Sequence, residues 1–258
     1  SSTSRGLGDV YKRQSLDDQN DYSCYVAMVE TLNNRLIEDK LDISDVGLVI
    51  IDEAHYNSFT KLFKFFSKSF MLGVTATPLS SNINLPMKDN YDELIIGESI
   101  SELIINKFLA RANLFTYNVG LTSLIVGANG DYTVKSSEEL YTNNDMLSKL
   151  MIAYEERCLN KKTLIFNNGI NTSLIVYDTF RKAGFNIKHL DNTTTKKQRL
   201  EILSWFKNTE NAILTSVSIL TTGFDEPSVK CIMINKATKS LTLYLSLIHI
   251  SEPTRRRG

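Results

Sequence analysis

Cysteine, proline and tryptophan are scarce in this chain of 258 residues, at three, four and one. The cysteines, Cys24, Cys158 and Cys231, lie far apart and form no C-x-x-C pair, which argues against a disulfide framework and against a zinc ribbon. They read as small buried hydrophobes in a reducing, cytoplasmic setting. Four prolines and twelve glycines leave no room for a low-complexity linker. Net charge is missing as well, with Lys+Arg 29 against Asp+Glu 29. A histone-like polycation is thereby excluded, whereas a local phosphate-binding cleft is not. No apolar run approaches the ~18 residues that span a bilayer, so no membrane partner is expected. The opening string SSTSRGLGDVYKRQ also lacks the apolar core of a secretory signal.

What is present is an alternation of short aliphatic runs with helical patterns, the mark of an α/β protein with parallel strands covered by helices. The runs of the first half are CYVAMV (24–29), VGLVIID (46–52) and FMLGVTAT (70–77), with helices expected over 31–39 and 58–68. The second half carries TLIFN (163–167), NIKHL (186–190), AILTS (212–216) and CIMIN (231–235). A helix over about 172–183 stops at Gly184, a residue suited to a left-handed C-terminal cap. Another, from Lys196 to Asn208, opens with Thr195 and Gln198 at capping-box spacing, and Leu200, Leu203 and Phe206 mark its apolar stripe. Between the halves, Gly120, Gly127 and the Asn-Gly pair at 129–130 suit a hairpin or connector. Two α/β lobes joined by a connector are therefore expected. The division is 15–105 for the first lobe, 106–145 for the connector and 146–245 for the second lobe.

The two ends differ in texture from the rest. Residues 1–14 and 246–258 carry neither periodicity nor caps, and they resemble translated sequencing-adapter read-through. They are expected to be non-native strings. The competing reading of Arg255–Arg257 is a basic nucleic-acid or localisation patch.

Three constellations carry chemistry. In LVIIDEAH, Asp52, Glu53 and His55 follow a strongly aliphatic strand, and ligands of open α/β sheets bind at the carboxyl ends of strands. Asp52 can hold Mg²⁺ directly or through water, and Glu53 is placed to polarise an attacking water, work worth ~10²- to 10⁴-fold. The bland alternative is a solvated acidic strand end with a fortuitous histidine. The second constellation, Gly73 to Pro78 (GVTATP), places the hydroxyls of Thr75 and Thr77 where they can bond the acidic motif; alone it is only a polar turn. The third, Ile219 to Pro227 (ILTTGFDEP), follows the strand AILTS. Gly223 allows close backbone approach to a phosphate, Thr222 can donate to one, and Asp225 can accept from a ribose or a cation; alone it is a turn closing a βα unit. His189 reads as a residue at a strand end and His249 as part of the closing string, and neither suggests a metal.

In this order and at these separations, the three motifs resemble those of DEAD/DEAH-type superfamily 2 helicases, over essentially all of 15–245. The likeness is greatest to the group of restriction-enzyme translocating subunits, excision-repair helicases and phage helicases, in which a stretch like Leu85 to Leu109 follows T-A-T-P. The resemblance implies two RecA-like lobes, the first of them incomplete, ATP and Mg²⁺ as cofactors, and a nucleic acid, DNA before RNA, as partner. It implies that Asp52 and Glu53 are the Mg²⁺-binding and catalytic carboxylates of a Walker B motif. His55 links that motif to the other lobe, and Thr75 with Thr77 couples hydrolysis to movement. Gly223 and Asp225 reach nucleotide. Thr31, Asn167, Asn168 and Thr222 contact the nucleic-acid strand, although Glu30 stands where Gln is common. Arg199 matches a helix arginine of the second lobe, with Lys196 where Gln is expected.

Two departures stand out. The 258 residues contain no G-x-x-x-x-G-K-[ST] loop and no Q-x-x-G-R-x-x-R motif, the first supplying a phosphate cradle and the second an arginine finger. Truncation of a longer gene at both ends is the expected cause, because the motifs present are intact. The expectation is a helicase or translocase whose chain, as written, does not turn over ATP. The alternatives are the motor subunit of a restriction-modification enzyme and a catalytically dead nucleic-acid-binding module.

Overall fold

In the computed structural model, residues 24–75, 86–109, 111, 113–128, 130–217 and 226–239 are described. The chain divides into two units, residues 1–96 and 97–258.

In the first unit, β1 (Leu48–Asp52) and β2 (Phe70–Val74) pair in parallel, from Leu48 opposite Phe70 to Asp52 opposite Val74. Side chains alternate across the pleat. Val49 and Met71 turn toward α1 (Val29–Ile37) and the short α2 (Thr60–Phe63), around a core of Leu36, Leu62 and Phe66. Leu48, Ile50, Phe70, Leu72 and Val74, on the other face, are exposed. The run 24–29, read as a strand, is not one. Residues 24–28 are irregular and α1 begins at Val29, because Val29, Leu32 and Leu36 recur at helical spacing and pack together. Lys61 of α2 reaches Glu30 of α1 at 2.5 Å.

The second unit is built on a parallel sheet in the order β4-β5-β3-β6. Its strands are β3 (Thr163–Asn167), β4 (Ile187–Leu190), β5 (Ile213–Ser216) and β6 (Cys231–Asn235). Every residue of β3 is buried, as a central strand covered on both faces requires. Ile165 joins Ile213 and Met233 in a cluster with α5 (Asn144–Arg157) and α6 (Ile170–Lys182), where Tyr154, Phe180 and Phe185 meet edge-on or tilted. Leu164 and Phe166, pointing the opposite way, join Leu190, Leu214 and Phe206 of α7 (Lys196–Asn208).

The local signals of these helices are realised. The Thr195–Gln198 capping box forms at the start of α7, and Gly184 takes φ +88° just past α6. The expected stripe is rotated, however. Leu200 is exposed, and Ile202, Leu203, Trp205 and Phe206 form the buried face. Cys158 is buried as expected, but Cys231 is only partly so and Cys24 is exposed. The glycine-rich stretch makes a tight antiparallel turn, Val126 opposite Tyr132, with Gly130 at φ +80°. A helix that the sequence did not announce follows it, α4 (Val134–Tyr141), capped by Thr133. Among the described residues no helix is long and apolar enough to cross a membrane.

Candidate functional site

The parallel pairing of β1 and β2 brings the ends of LVIID and FMLGV side by side, so the residues that follow each strand meet. Asp52 Oδ1 accepts from the Glu53 backbone N–H at 2.9 Å. Glu53 itself sits at φ +51°, in the left-handed region that is costly for any residue with a Cβ. The turn is fixed on both sides, by Ala54 N–H to Val74 O at 3.0 Å and Tyr56 N–H to Glu53 O at 3.0 Å. Strain held by such surroundings is characteristic of working sites.

His55, two residues after Glu53, is 1 % exposed. Its Nδ1 stands 2.9 Å from Thr75 Oγ1 and 3.3 Å from Glu53 Oε2. A carboxylate only accepts, so Nδ1 is the donor toward Glu53. Nε2 is buried and has no partner among the described residues. The Tyr56 ring covers the imidazole, centroids 4.2 Å apart. Asp52 is exposed and Glu53 partly so, so both carboxylates can meet a ligand while His55 stays fixed behind them. Thr77 lies outside the described residues.

Mg²⁺ bound with a nucleotide takes one or two protein carboxylates, the rest of its shell being phosphate and water. Asp52 suits that sparse donor set: it is exposed, and only Oδ1 of its two oxygens is engaged by the turn. No cluster of three or more His, Cys, Asp or Glu suited to a metal occurs among the described residues, so an all-protein cage is not what this site offers.

The second unit gathers polar side chains at the carboxyl ends of its strands. Asn167 is fully buried. Its Nδ2 donates to Thr215 Oγ1 at 2.8 Å, and its Oδ1 accepts from Asn235 Nδ2 at 2.9 Å. The network continues from Thr215 Oγ1 to Ser173 Oγ at 2.9 Å, from Ser173 to His189 Nδ1 at 2.9 Å, and from His189 Nε2 to Asp191 Oδ2 at 2.9 Å. Asp191 Oδ1 in turn accepts from the backbone and hydroxyl of both Thr193 and Thr194. Burial pushes the Asp191 carboxyl up, but these bonds and the His189 contact outweigh it and bring its pKa down to about 2. The side chain of Asn167 is thus committed inside the sheet. Its neighbour differs: both amide atoms of Asn168, with Thr172 Oγ1 and Ser216 Oγ, are buried without a partner among the described residues. They stand at the ends of β3 and β5 and in the first turn of α6, whose N-cap Gly169 supplies no side-chain cap.

Of the other expected residues, Thr31 lies exposed on α1, whereas Thr222, Gly223 and Asp225 fall outside the described residues. Sequence reasoning passed over Ser173, Thr215, Asn235 and Asp191. A signal existed for one of them: TLIFN and CIMIN both end an aliphatic run in asparagine, and parallel register sets Asn167 opposite Asn235.

Two family models match parts of the chain. Residues 142–257 match the family model of the helicase conserved C-terminal domain, and residues 2–80 that of the type III restriction enzyme, res subunit. A 51.5 kDa protein of a Lactococcus phage (isolate 7-9) is 28 % identical over 202 residues, covering 77 % of this chain and 44 % of its own length. IRC3 of Saccharomyces cerevisiae, provisionally named an ATP-dependent helicase, is 27 % identical over 247 residues, covering 90 % of this chain and 35 % of its own length. The chain thus spans less than half the length of these relatives. Among solved structures, the ATP-dependent type ISP restriction-modification enzyme LlaBIII bound to DNA shares the fold. Its TM-score is 0.58 at 15 % identity, over 88 % of this chain and 18 % of that one.

The fold is an α/β one of parallel sheets with helices, and the chain is similar to helicases in its two matched segments. Its first unit carries the restriction-subunit likeness and its second the helicase C-terminal domain likeness.

Proposed function

We propose that the chain serves an ATP-driven motor that moves along a nucleic-acid strand, DNA in preference to RNA. The observation that carries this reading is the Asp52–Glu53 pair at a parallel strand end, with Glu53 facing His55 and His55 bonded to Thr75. Glu53 acts as the base that takes a proton from the water attacking the terminal phosphate. Asp52 holds the nucleotide's Mg²⁺, which when bound neutralises phosphate charge. His55 Nδ1 faces both the Glu53 carboxylate and Thr75 Oγ1, so a change at the acidic motif is felt at the end of β2. Thr77, Gly223 and Asp225 belong to the same nucleotide response by resemblance.

The strand is held at phosphates rather than bases. The polar atoms of Asn168, Thr172 and Ser216 that have no partner among the described residues suit this role, together with the N-terminus of α6; by resemblance, Thr31 and Thr222 also contact the strand. A motor subunit of a restriction-modification enzyme is the second reading, favoured by the match over 2–80. A non-hydrolysing binding module fits less well, because the Asp52–Glu53 pair is intact.

Fluorescence anisotropy with labelled single strands of mixed sequence tests the binding half. Asn168→Ala should weaken every DNA sequence alike, since phosphate contacts carry no base information. The hydrolytic half is tested in a longer protein that also contains a phosphate-binding loop, where Glu53→Gln should retain ATP binding and lose nucleic-acid-stimulated phosphate release. Sequence-dependent weakening by Asn168→Ala, or near-normal turnover by Glu53→Gln, overturns the corresponding half.

A further inference from the structure

Away from both strand-end clusters, the second unit brings two cysteines together from opposite ends of its chain. Cys158 is the C-cap of α5 and is 5 % exposed. Cys231 opens β6 beside Thr163 and is partly exposed. Cys158 belongs to the apolar cluster of Tyr154, Val176 and Phe180, and Cys231 packs against that cluster. The Cys231 thiol donates to the carbonyl of Arg157, the residue just before Cys158, at 3.6 Å.

Their contact makes the two thiols unequal. The hydrogen bond from Cys158 lowers the pKa of Cys231, which partial burial opposes and Lys161 assists. That same bond, followed by burial, raises the pKa of Cys158. An accessible thiol that ionises readily, set against a buried thiol that keeps its proton, is the arrangement of an attacking and a resolving cysteine. Cys24, exposed in the first unit, has no part in it.

We infer that Cys158 and Cys231 form a reversible disulfide when the protein meets a peroxide. The Cys231 thiolate attacks one peroxide oxygen, the O–O bond breaks, and the departing hydroxide takes up a proton and leaves as water. Cys231 is then a sulfenic acid. The Cys158 sulfur, giving up its proton, attacks the Cys231 sulfur; the S–S bond forms, the S–O bond breaks, and a second water leaves. Two thiols and one hydrogen peroxide become one disulfide and two waters, and a dithiol reverses the change. The bond closes a loop from the end of α5 to the start of β6 that encloses β3, α6, β4, α7 and β5. Oxidation therefore removes freedom from the unfolded chain across most of this unit.

The test uses the full chain with Cys24→Ser, leaving only the two thiols of interest. After hydrogen peroxide under native conditions, thiol titration should fall from two per chain to none. Non-reducing peptide mapping should show the 158- and 231-containing peptides joined, the protein should stay monomeric, and dithiothreitol should restore both thiols. The oxidised form should also unfold at higher temperature than the reduced form. Adding Cys158→Ser should instead let a sulfenic acid accumulate on Cys231, trapped by dimedone. Where that variant does not fold, the mapping on Cys24→Ser decides alone. Loss of Cys231 without a joined peptide, cross-linking between chains, or reaction of Cys158 before Cys231 would each overturn the inference.

Discussion

Replacing Asn167 by alanine separates a structural role from a strand-binding one. The side chain donates to Thr215 Oγ1 at 2.8 Å and accepts from Asn235 Nδ2 at 2.9 Å, all at fully or almost fully buried positions. Thr215 keeps Ser173 as a partner, but Asn235 Nδ2 loses the acceptor it has on Asn167. The Asn235 donor left unpaired costs ~1–3 kcal/mol, and the lost bond to Thr215 about 1 kcal/mol more, so the variant should lose about 2–4 kcal/mol. At a urea dependence of ~2 kcal/mol/M, the unfolding midpoint falls by about 1–2 M. The single tryptophan, Trp205, packs against the core of this unit and reports its unfolding by fluorescence. Asn167→Ala/Asn235→Ala should cost less than the two single changes summed, because no stranded donor remains. Asn168→Ala, which breaks no described bond, should leave the midpoint in place. A stable Asn167→Ala protein with weakened strand binding would refute this reasoning and return Asn167 to the nucleic-acid surface.

Glu53→Gly should stabilise the first unit by about 1 kcal/mol relative to Glu53→Ala, because φ +51° is strained for alanine and free for glycine; hydrogen exchange along β1 and β2 measures the difference, and equal protection would show that the turn carries no strain. Asp191 has its pKa brought down to about 2, against about 3.9 for an unfolded aspartate. Its contribution is thus fully present above about pH 4 and is lost as pH falls toward 2. Acid titration of stability should be shallower in Asp191→Asn over that interval, and an unchanged slope would remove Asp191 from the acid response.

Much of the architecture was legible because it is written locally. β3, β5 and β6 are aliphatic runs bounded by polar residues, and α7 is announced by its capping box and closing apolar turn. Residues 24–29 misled because an apolar run has no period of its own until Leu32 and Leu36 extend it as a helix. Nothing at Leu200 says that the buried face of α7 runs through Ile202 and Trp205 instead; that depends on where β4 and β5 lie. The cluster at the end of β1 was legible because Asp52, Glu53 and His55 are contiguous and a bond from Thr75, twenty residues on, was expected; the fold added that its partner is the histidine. Asn167 marks the boundary of such reading. An asparagine at a strand end looks alike whether it meets a phosphate or another asparagine 68 residues away.

The strand order of the second unit also sets when it can fold. β3 is made first of these strands, but its two neighbours are β5 and β6, and Asn235, the partner of Asn167, ends β6, the last strand among the described residues. During synthesis β3 lacks one neighbour, and Asn167 its partner, until residue 235 has left the ribosome. Pairings over such separations form slowly and leave apolar strands exposed meanwhile. β1 and β2, joined by a short helical turn, carry no such delay. A nascent chain stalled after β5 should therefore remain protease-sensitive through 163–216, and protection should arise in one step once Asn235 emerges.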